Sequence, residues 1–204
     1  MTAIEPFESV DARYVVGIDP ALTRTGVAVI ERLDDKCRAE TFVVASEPSG
    51  DDSPAAAYKR IRAIAHRVNA LIPIRGVALG LIEAPAYDAE AAGKAWQRAG
   101  LWWQLAGVLV ARDVPFGTVT PLTLKKWVVG YAGSPKHPVE KRDIVAGMRK
   151  MWPGLPCTSS ELRHHECEGL AMAAICAQRL GWPVPVRAHH GAALAVIKWP
   201  RGVT

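Results

Sequence analysis

Apolar and polar residues change their period several times along this chain, and each change marks an element. The segment YVVGIDPALTRTGVAVI, ending at Ile30, carries two Val- and Ile-rich runs joined by a polar turn with Gly26 near its end, the pattern of a β-hairpin. A third β-rich run, CRAETFVVAS, follows the charged break ERLDDK, so three antiparallel strands open the domain. The period then lengthens. In PAAAYKRIRAIAHRVNALI, after the loop SGDDSP, Ile61, Ile64, Ala65, Val68 and Leu71 recur at helical spacing with Lys and Arg between them, which predicts an amphipathic helix.

The run GVALGLIE is short and uncharged until its last residue, Glu83, as expected of a central strand buried on both faces. A long helix is predicted from about Asp88 to Arg112, with Ala95, Ala99, Trp102, Ala106 and Leu109 on one stripe and Trp96, Trp103 and Val110 beside it. VPFGTVT reads as a fifth strand, PLTLKKWVV as a short helix opened by Pro121, and EKRDIVAGMRKMW as another helix. A final helix is predicted from about His164 to Leu180. This order implies an α/β fold with a five-stranded mixed sheet and helices on its faces. Past Trp182 the pattern fails, and Pro183, Pro185 and the later glycines predict a mobile, basic tail. The expected organisation is an N-terminal extension over 1–12, one domain over 13–182 and the tail over 183–204.

A chain of 204 residues with 50% hydrophobic content is enough for one domain with its own core. Four cysteines, Cys37, Cys157, Cys167 and Cys176, form no CxxC pair and are expected to be free thiols in a reducing compartment. The N-terminal residues lack the apolar core of a signal peptide, and no stretch reaches the roughly 18 apolar residues of a membrane span. The expectation is a soluble, cytoplasmic protein with no membrane partner.

Charge changes this picture by where it sits. Of 25 Lys and Arg, seven fall between Pro121 and Trp152 (Lys125, Lys126, Lys136, Lys141, Arg142, Arg149 and Lys150) against two of the 20 acids, leaving 18 of each elsewhere. One segment therefore carries the whole net charge of +5 and points to a polyanionic partner, although a solvated helix face would look similar.

The acids supply the chemistry. Asp19 and Glu83 each end an apolar strand, where a side chain can leave the core, and two such acids in one sheet can converge on a site that holds a cation. Alone, either acid would also serve as a turn residue or helix cap. In HHECEGLAMAAICAQRL, His165 and Glu168 lie three apart on one face of the last helix, and Glu168 opens the apolar run, where an unpaired carboxylate is costly. By the same spacing His164 and Glu166 are expected to point elsewhere, solvated or capping.

Taken together, GIDPALTRTGVAVIE, LIEAPAYD, TPLTLKKWVVG, VEKRDIVAGM and HHECEGLAMAA resemble, in order, the segments of RuvC-like Holliday junction resolvases, from about Tyr14 to Leu180. The resemblance implies an RNase H-like fold and a structure-selective endonuclease acting on branched DNA, and the divergence from bacterial enzymes suggests a phage-encoded member. It places Asp19, Glu83, His165 and Glu168 at the metal site and Lys125 and Lys141 beside the scissile phosphate. Glu168 stands where the family commonly has Asp, His165 where many members have Asp, and Ala21 where a Gly usually follows Asp-Pro.

Two Mg²⁺ or Mn²⁺ ions are implied, with Asp19 bridging, Glu83 on one ion and Glu168 with His165 on the other. Lys125 and Lys141 would offset phosphate charge, and Lys126, Lys136 and Arg142 would contact DNA. Tyr87 could stack on an unpaired base. A homodimer through the helix near 88–112 is expected, because a four-way junction is two-fold symmetric and Trp96, Trp102, Trp103, Leu101, Leu105, Val108 and Leu109 cover most of that helix.

Three other readings compete. GID followed by TRTG also resembles the first phosphate loop of sugar kinases and actin-like ATPases, but those need two such domains and a second Gly-rich loop. A catalytically idle DNA-binding module would explain the bases and not the acids. A structural zinc on Cys157, His164, His165 and Cys167 lacks the usual ligand spacing and would take His165 from Glu168.

Overall fold

The computed structural model describes residues 12–48, 50–85, 94–134, 136–154 and 163–203. Strand β1 (Tyr14–Asp19) is the middle of a five-stranded sheet of order β3-β2-β1-β4-β5, with β2 at Arg24–Leu33, β3 at Lys36–Ala45, β4 at Val77–Glu83 and β5 at Phe116–Val119. The first three strands are antiparallel, and β4 and β5 run parallel to β1, so the sheet is mixed as expected.

Alternation along the strands makes two cores. Val15, Ala28, Ile30, Leu79 and Leu81 face one layer, and Val16, Ile18, Val27, Val29 and Ile82 face the other. The second layer is α1 (Pro54–Leu71) with α2 (Ala95–Ala111). Ser53 caps α1 by accepting from the Ala56 N–H at 3.2 Å, and Ile61, Ile64, Ala65 and Val68 are its buried stripe. The first layer holds α3 (Pro121–Val129), α4 (Lys141–Met151) and α5 (Arg163–Arg179). Helix α5 lies between the sheet and the outer helices, which is why Cys167 and every residue from Gly169 to Ala177 are buried.

Two expectations are corrected. The buried side of α2 is Leu101, Leu105, Ala106 and Leu109, so Ala106 and Leu109 of the expected stripe are buried, whereas Ala95 is exposed, Ala99 and Trp102 are half-buried, and Trp96 and Trp103 lie in solvent. The part of the expected helix before Lys94, with Tyr87, lies outside the described residues. The segment after Trp182 is packed, not detached: Val184, Ala193 and Ile197 join the α5-side core. The short helix α6 (His190–Leu194) stacks His190 on Trp127, Thr118 bridges to Lys198, and Arg179 donates to the Val203 carbonyl at 2.9 Å. Prolines and glycines break the apolar residues there into pieces too short to show a period, and packing against α3 and β5 orders them instead. Among the described residues no helix is long and apolar enough to cross a membrane.

Candidate active site

Strands β1 and β4 are parallel neighbours with Ile18 opposite Ile82, so the acids that follow, Asp19 and Glu83, leave the same end of the sheet side by side. The third acid comes from α5, and its delivery depends on glycines. A methyl group at Gly17 would overlap the Gly169 carbonyl and the Ala173 backbone nitrogen, and one at Gly26 would overlap the His165 carbonyl. Backbone thus lies directly on backbone, and the first turns of α5 reach the strand ends.

Asp19, 4% exposed, is the centre of the cluster. His165 places Nδ1 2.6 Å from Asp19 Oδ2, where this nitrogen donates to the carboxylate. Glu83 and Glu168 each reach hydrogen-bond range of Asp19. Burial first, and the Asp19 charge second, push Glu83 up to about 8, and the same causes with Glu83 added push Glu168 up to about 9. Three carboxyls packed this closely cannot all ionise without a cation. The set is chemically fit for one: hard oxygen donors with an imidazole alongside suit Mg²⁺ or Mn²⁺.

Cations border the acids. Lys125, half-buried on α3, acts on Glu83, and Lys141, the first residue of α4, acts on Glu168. Thr120 caps α3 by accepting from the Thr123 N–H at 3.2 Å, and Asp143 accepts from the Glu140 N–H at 2.9 Å at the start of α4, so both lysines stand on fixed helix starts. Lys126 and Lys136 are exposed further out, and Arg142 is paired with Glu140 at 2.9 Å on the surface.

His164 does not point away from the site. Its Nε2 lies 2.9 Å from Lys141 Nζ, its ring packs on His165 at 3.9 Å, and a ring nitrogen of it clusters with one of His165 and a carboxylate oxygen of Glu168, all within 4.8 Å. Burial, with His165 and Lys141 adding to it, lowers its pKa to about 4, so at neutral pH the ring accepts from the ammonium. Helical spacing missed it because at the first turn of α5 the two adjacent rings stack instead of diverging. Glu166 does turn away, as spacing predicts, but it is buried near Thr41 and Arg67 and not solvated. Arg24, exposed at the start of β2, is a further cation acting on His164, and nothing in the pattern of TRTG marks it. The turn between β1 and β2 works without glycine because buried Thr25 donates to the Ala21 carbonyl at 2.8 Å. Of the four residues weighed for zinc, Cys157 lies outside the described residues, and among the described ones Cys167, buried in the α5-side core, does not join the cluster of His164, His165 and Glu168.

The sequence profile of the crossover junction endodeoxyribonuclease RuvC matches residues 15–150, about two thirds of the chain. The chain belongs to the RuvC family. It is accordingly an endodeoxyribonuclease, a hydrolase of phosphodiester bonds. No curated protein matches significantly. The RuvC structure of Thermus thermophilus covers 85% of this chain and 99% of its own at 20% identity, with a TM-score of 0.61. The same organism's RuvC in complex with a Holliday junction substrate matches with a TM-score of 0.60 and the same coverage and identity. These two establish the RNase H-like fold. Since the profile match stops before α5, the placing of His165 and Glu168 rests on the glycine-seated geometry.

Proposed function

We propose that this RuvC-family chain cuts branched DNA, four-way junctions among them, in a reaction dependent on divalent metal, in DNA recombination or repair. The observation that carries this reading is the convergence of Asp19, Glu83 and Glu168 at one sheet end with Lys125 and Lys141 beside them. It is supported by the relative of the same fold that has been solved with a Holliday junction.

Asp19, Glu83, Glu168 and His165 would hold Mg²⁺ or Mn²⁺, which supplies activation of water and stabilisation of the leaving oxygen. The chain's own residues do the rest. Asp19 orients His165 through Nδ1, and Lys125 and Lys141 offset charge on the phosphate being attacked. His164 holds the Lys141 ammonium against the site. Lys126, Lys136 and Arg142 extend the cationic surface along the path of the DNA. The working unit is a homodimer, because two matched cuts need two sites related by a two-fold axis.

The test is a panel of labelled junctions, forks, flaps and gapped duplexes incubated with Mg²⁺ or Mn²⁺, with cuts mapped on every strand. Asp19→Asn, Glu83→Gln and Glu168→Gln should each abolish cutting and retain junction binding. Cutting by Asp19→Asn at the parent rate would refute the site.

A further inference from the structure

Helix α3 carries Lys125 to the site, and a helix of nine residues is marginal by itself. Lys125 is the fifth of the nine, so unwinding of the last turn would leave it at a frayed end. A slip of one residue along the axis would move it by about 1.5 Å. Whatever fixes α3 therefore fixes the lysine. The first turn is capped by Thr120, and the inner side lies on α4 and α5, with the Trp127 indole N–H donating to Gln178 Oε1 at 3.0 Å. The last turn is held from elsewhere.

Its holder is the segment after Trp182. The last four carbonyls of an α-helix have no partner inside it. Two of those in α3 are met: the Lys126 carbonyl accepts from the Gly130 N–H at 2.9 Å, and the Trp127 carbonyl accepts from His189 Nε2 at 3.0 Å. A carbonyl only accepts, so Nε2 of His189 carries the proton. The same ring lies against Gly130, which ends the helix with a φ of 91°, so close that a side-chain carbon there would meet it at 3.4 Å. Beside it, fully buried His190 stacks on the Trp127 ring at 4.1 Å and accepts at Nδ1 from the Arg187 N–H at 3.3 Å.

The segment is itself anchored beyond α6. Thr118 of β5 bridges to Lys198, whose carbonyl would stand 2.9 Å from a methyl group at Gly117. Arg179, the last residue of α5, donates to the Val203 carbonyl at 2.9 Å and lies 5.7 Å from the centre of the Trp199 ring. The chain thus leaves α5, crosses the end of α3, pairs with the strand that leads into α3, and returns to α5.

We infer that this strap positions Lys125, with His189 as the positioning residue: its imidazole caps α3 and so keeps the ammonium beside Glu83. The inference rests on the endonuclease reading above, in which Lys125 offsets charge on the phosphate. His189 acts through the helix and not on the substrate.

The experiment uses the full chain, a four-way junction whose cut has been mapped, and single-turnover rates. His189→Ala should slow cutting on the order of tenfold, less than the roughly 100-fold of a 1 Å misplacement. His189→Gln, whose side-chain amide can donate to the same carbonyl, should restore most of the rate. In a Lys125→Ala background, His189→Ala should change the rate by less than about twofold, because a residue that acts only through another has nothing left to act on. Mn²⁺ affinity of His189→Ala, measured by calorimetry, should equal that of the parent, since none of the carboxylates stands on α3. A His189→Ala protein as fast as the parent would overturn the strap, and a His189→Gln protein as slow as His189→Ala would overturn the cap. Equal loss in both backgrounds, or Mn²⁺ binding that weakens along with cutting, would mean a site loosened as a whole and overturn the link to Lys125. Lys125→Ala cutting at the parent rate, or a parent protein that cuts no branched DNA with either metal, would overturn the endonuclease reading instead.

Discussion

The two faces of the sheet are packed by different rules. On the α5 face, Gly17 and Gly26 let helix backbone rest on strand backbone, and α5 is enclosed on every side. On the α2 face, Leu101, Leu105 and Leu109 interdigitate with Ile61, Ile64 and Val68 of α1, and Gly107 of α2 has open space around it. Side-chain packing tolerates adjustment, whereas backbone contact does not. The face that carries His165 and Glu168 is the one with no room to adjust, and the face left partly open keeps exposed Trp96 and Trp103 for other uses.

The largest effect should come from filling the backbone contacts. Gly17→Ala and Gly26→Ala should each cost about 1–3 kcal/mol of stability as overpacking. Each should also slow cutting by roughly 100-fold, the scale for a 1 Å misplacement of reacting groups. Gly107→Ala, in the interior of α2 with nothing to meet, should instead stabilise by up to about 1 kcal/mol. Denaturant melts and single-turnover rates on the three variants decide it, and equal tolerance at Gly17 and Gly107 would end the contrast.

A second difference is chemical, since only the α5 face delivers an acid into an already acidic site. With Glu83 raised to about 8 and Glu168 to about 9, the folded protein holds protons that the unfolded chain releases near 4.5. Proton uptake thus favours folding, and this contribution is complete below the ordinary carboxyl range and lost as pH rises through 8 and 9. Melting temperature without divalent metal should fall across that interval. Mg²⁺ or Mn²⁺, which binds the ionised acids, should flatten the fall and bind more tightly as pH increases. A melting profile that ignores metal between pH 6 and 9 would remove these carboxyls as its holders.

A smaller effect is expected from the cations on the α5 side. Replacing Lys125, Lys126 and Lys141 by Ala should weaken junction binding and flatten its salt dependence by about one unit of slope for each phosphate deprived of its cation. An unchanged slope would place the DNA elsewhere.

Much of this was readable from residues alone, and the failures have physical causes. Period-2 and period-3.6 patterns placed all five strands and helices α1 to α5, because those elements bury one side or are buried throughout. Asp19, Glu83 and Glu168 were legible because a carboxylate ending an apolar run needs a reason to be there. His164 was not, since helical spacing sends adjacent residues to different sides, whereas the His164 and His165 rings lie 3.9 Å apart. Nor was the packing of residues after Trp182, which is held by separated contacts such as His190 on Trp127. The buried stripe of α2 was placed correctly at Ala106 and Leu109 and wrongly at Trp102, because tryptophan is apolar enough to mimic a core position, yet Trp102 is half-buried and its neighbour Trp103 is 69% exposed.

That exposure leads to the last prediction, which turns on oligomeric state more than on chemistry. Trp96, Trp103 and Val110 follow one another at intervals of seven residues and share one side of α2, and they are 91%, 69% and 63% exposed. A stripe at this spacing is the seam along which two helices pack, and aromatic residues concentrate at interface centres. Two copies joined α2 to α2 would leave each α5 face, with its carboxylates, free for a separate strand. Light scattering should then give twice the 22.0 kDa of one chain. Changing Trp96 and Trp103 together to Glu should return the mass to one chain with circular dichroism unchanged, since neither ring belongs to the buried side of α2. Cutting of single strands should persist in that variant, and coordinated paired cutting of a junction should be lost. A parent protein that is monomeric at micromolar concentration yet makes paired cuts would sink the dimer, and a dimer that survives both substitutions would move its interface to another face.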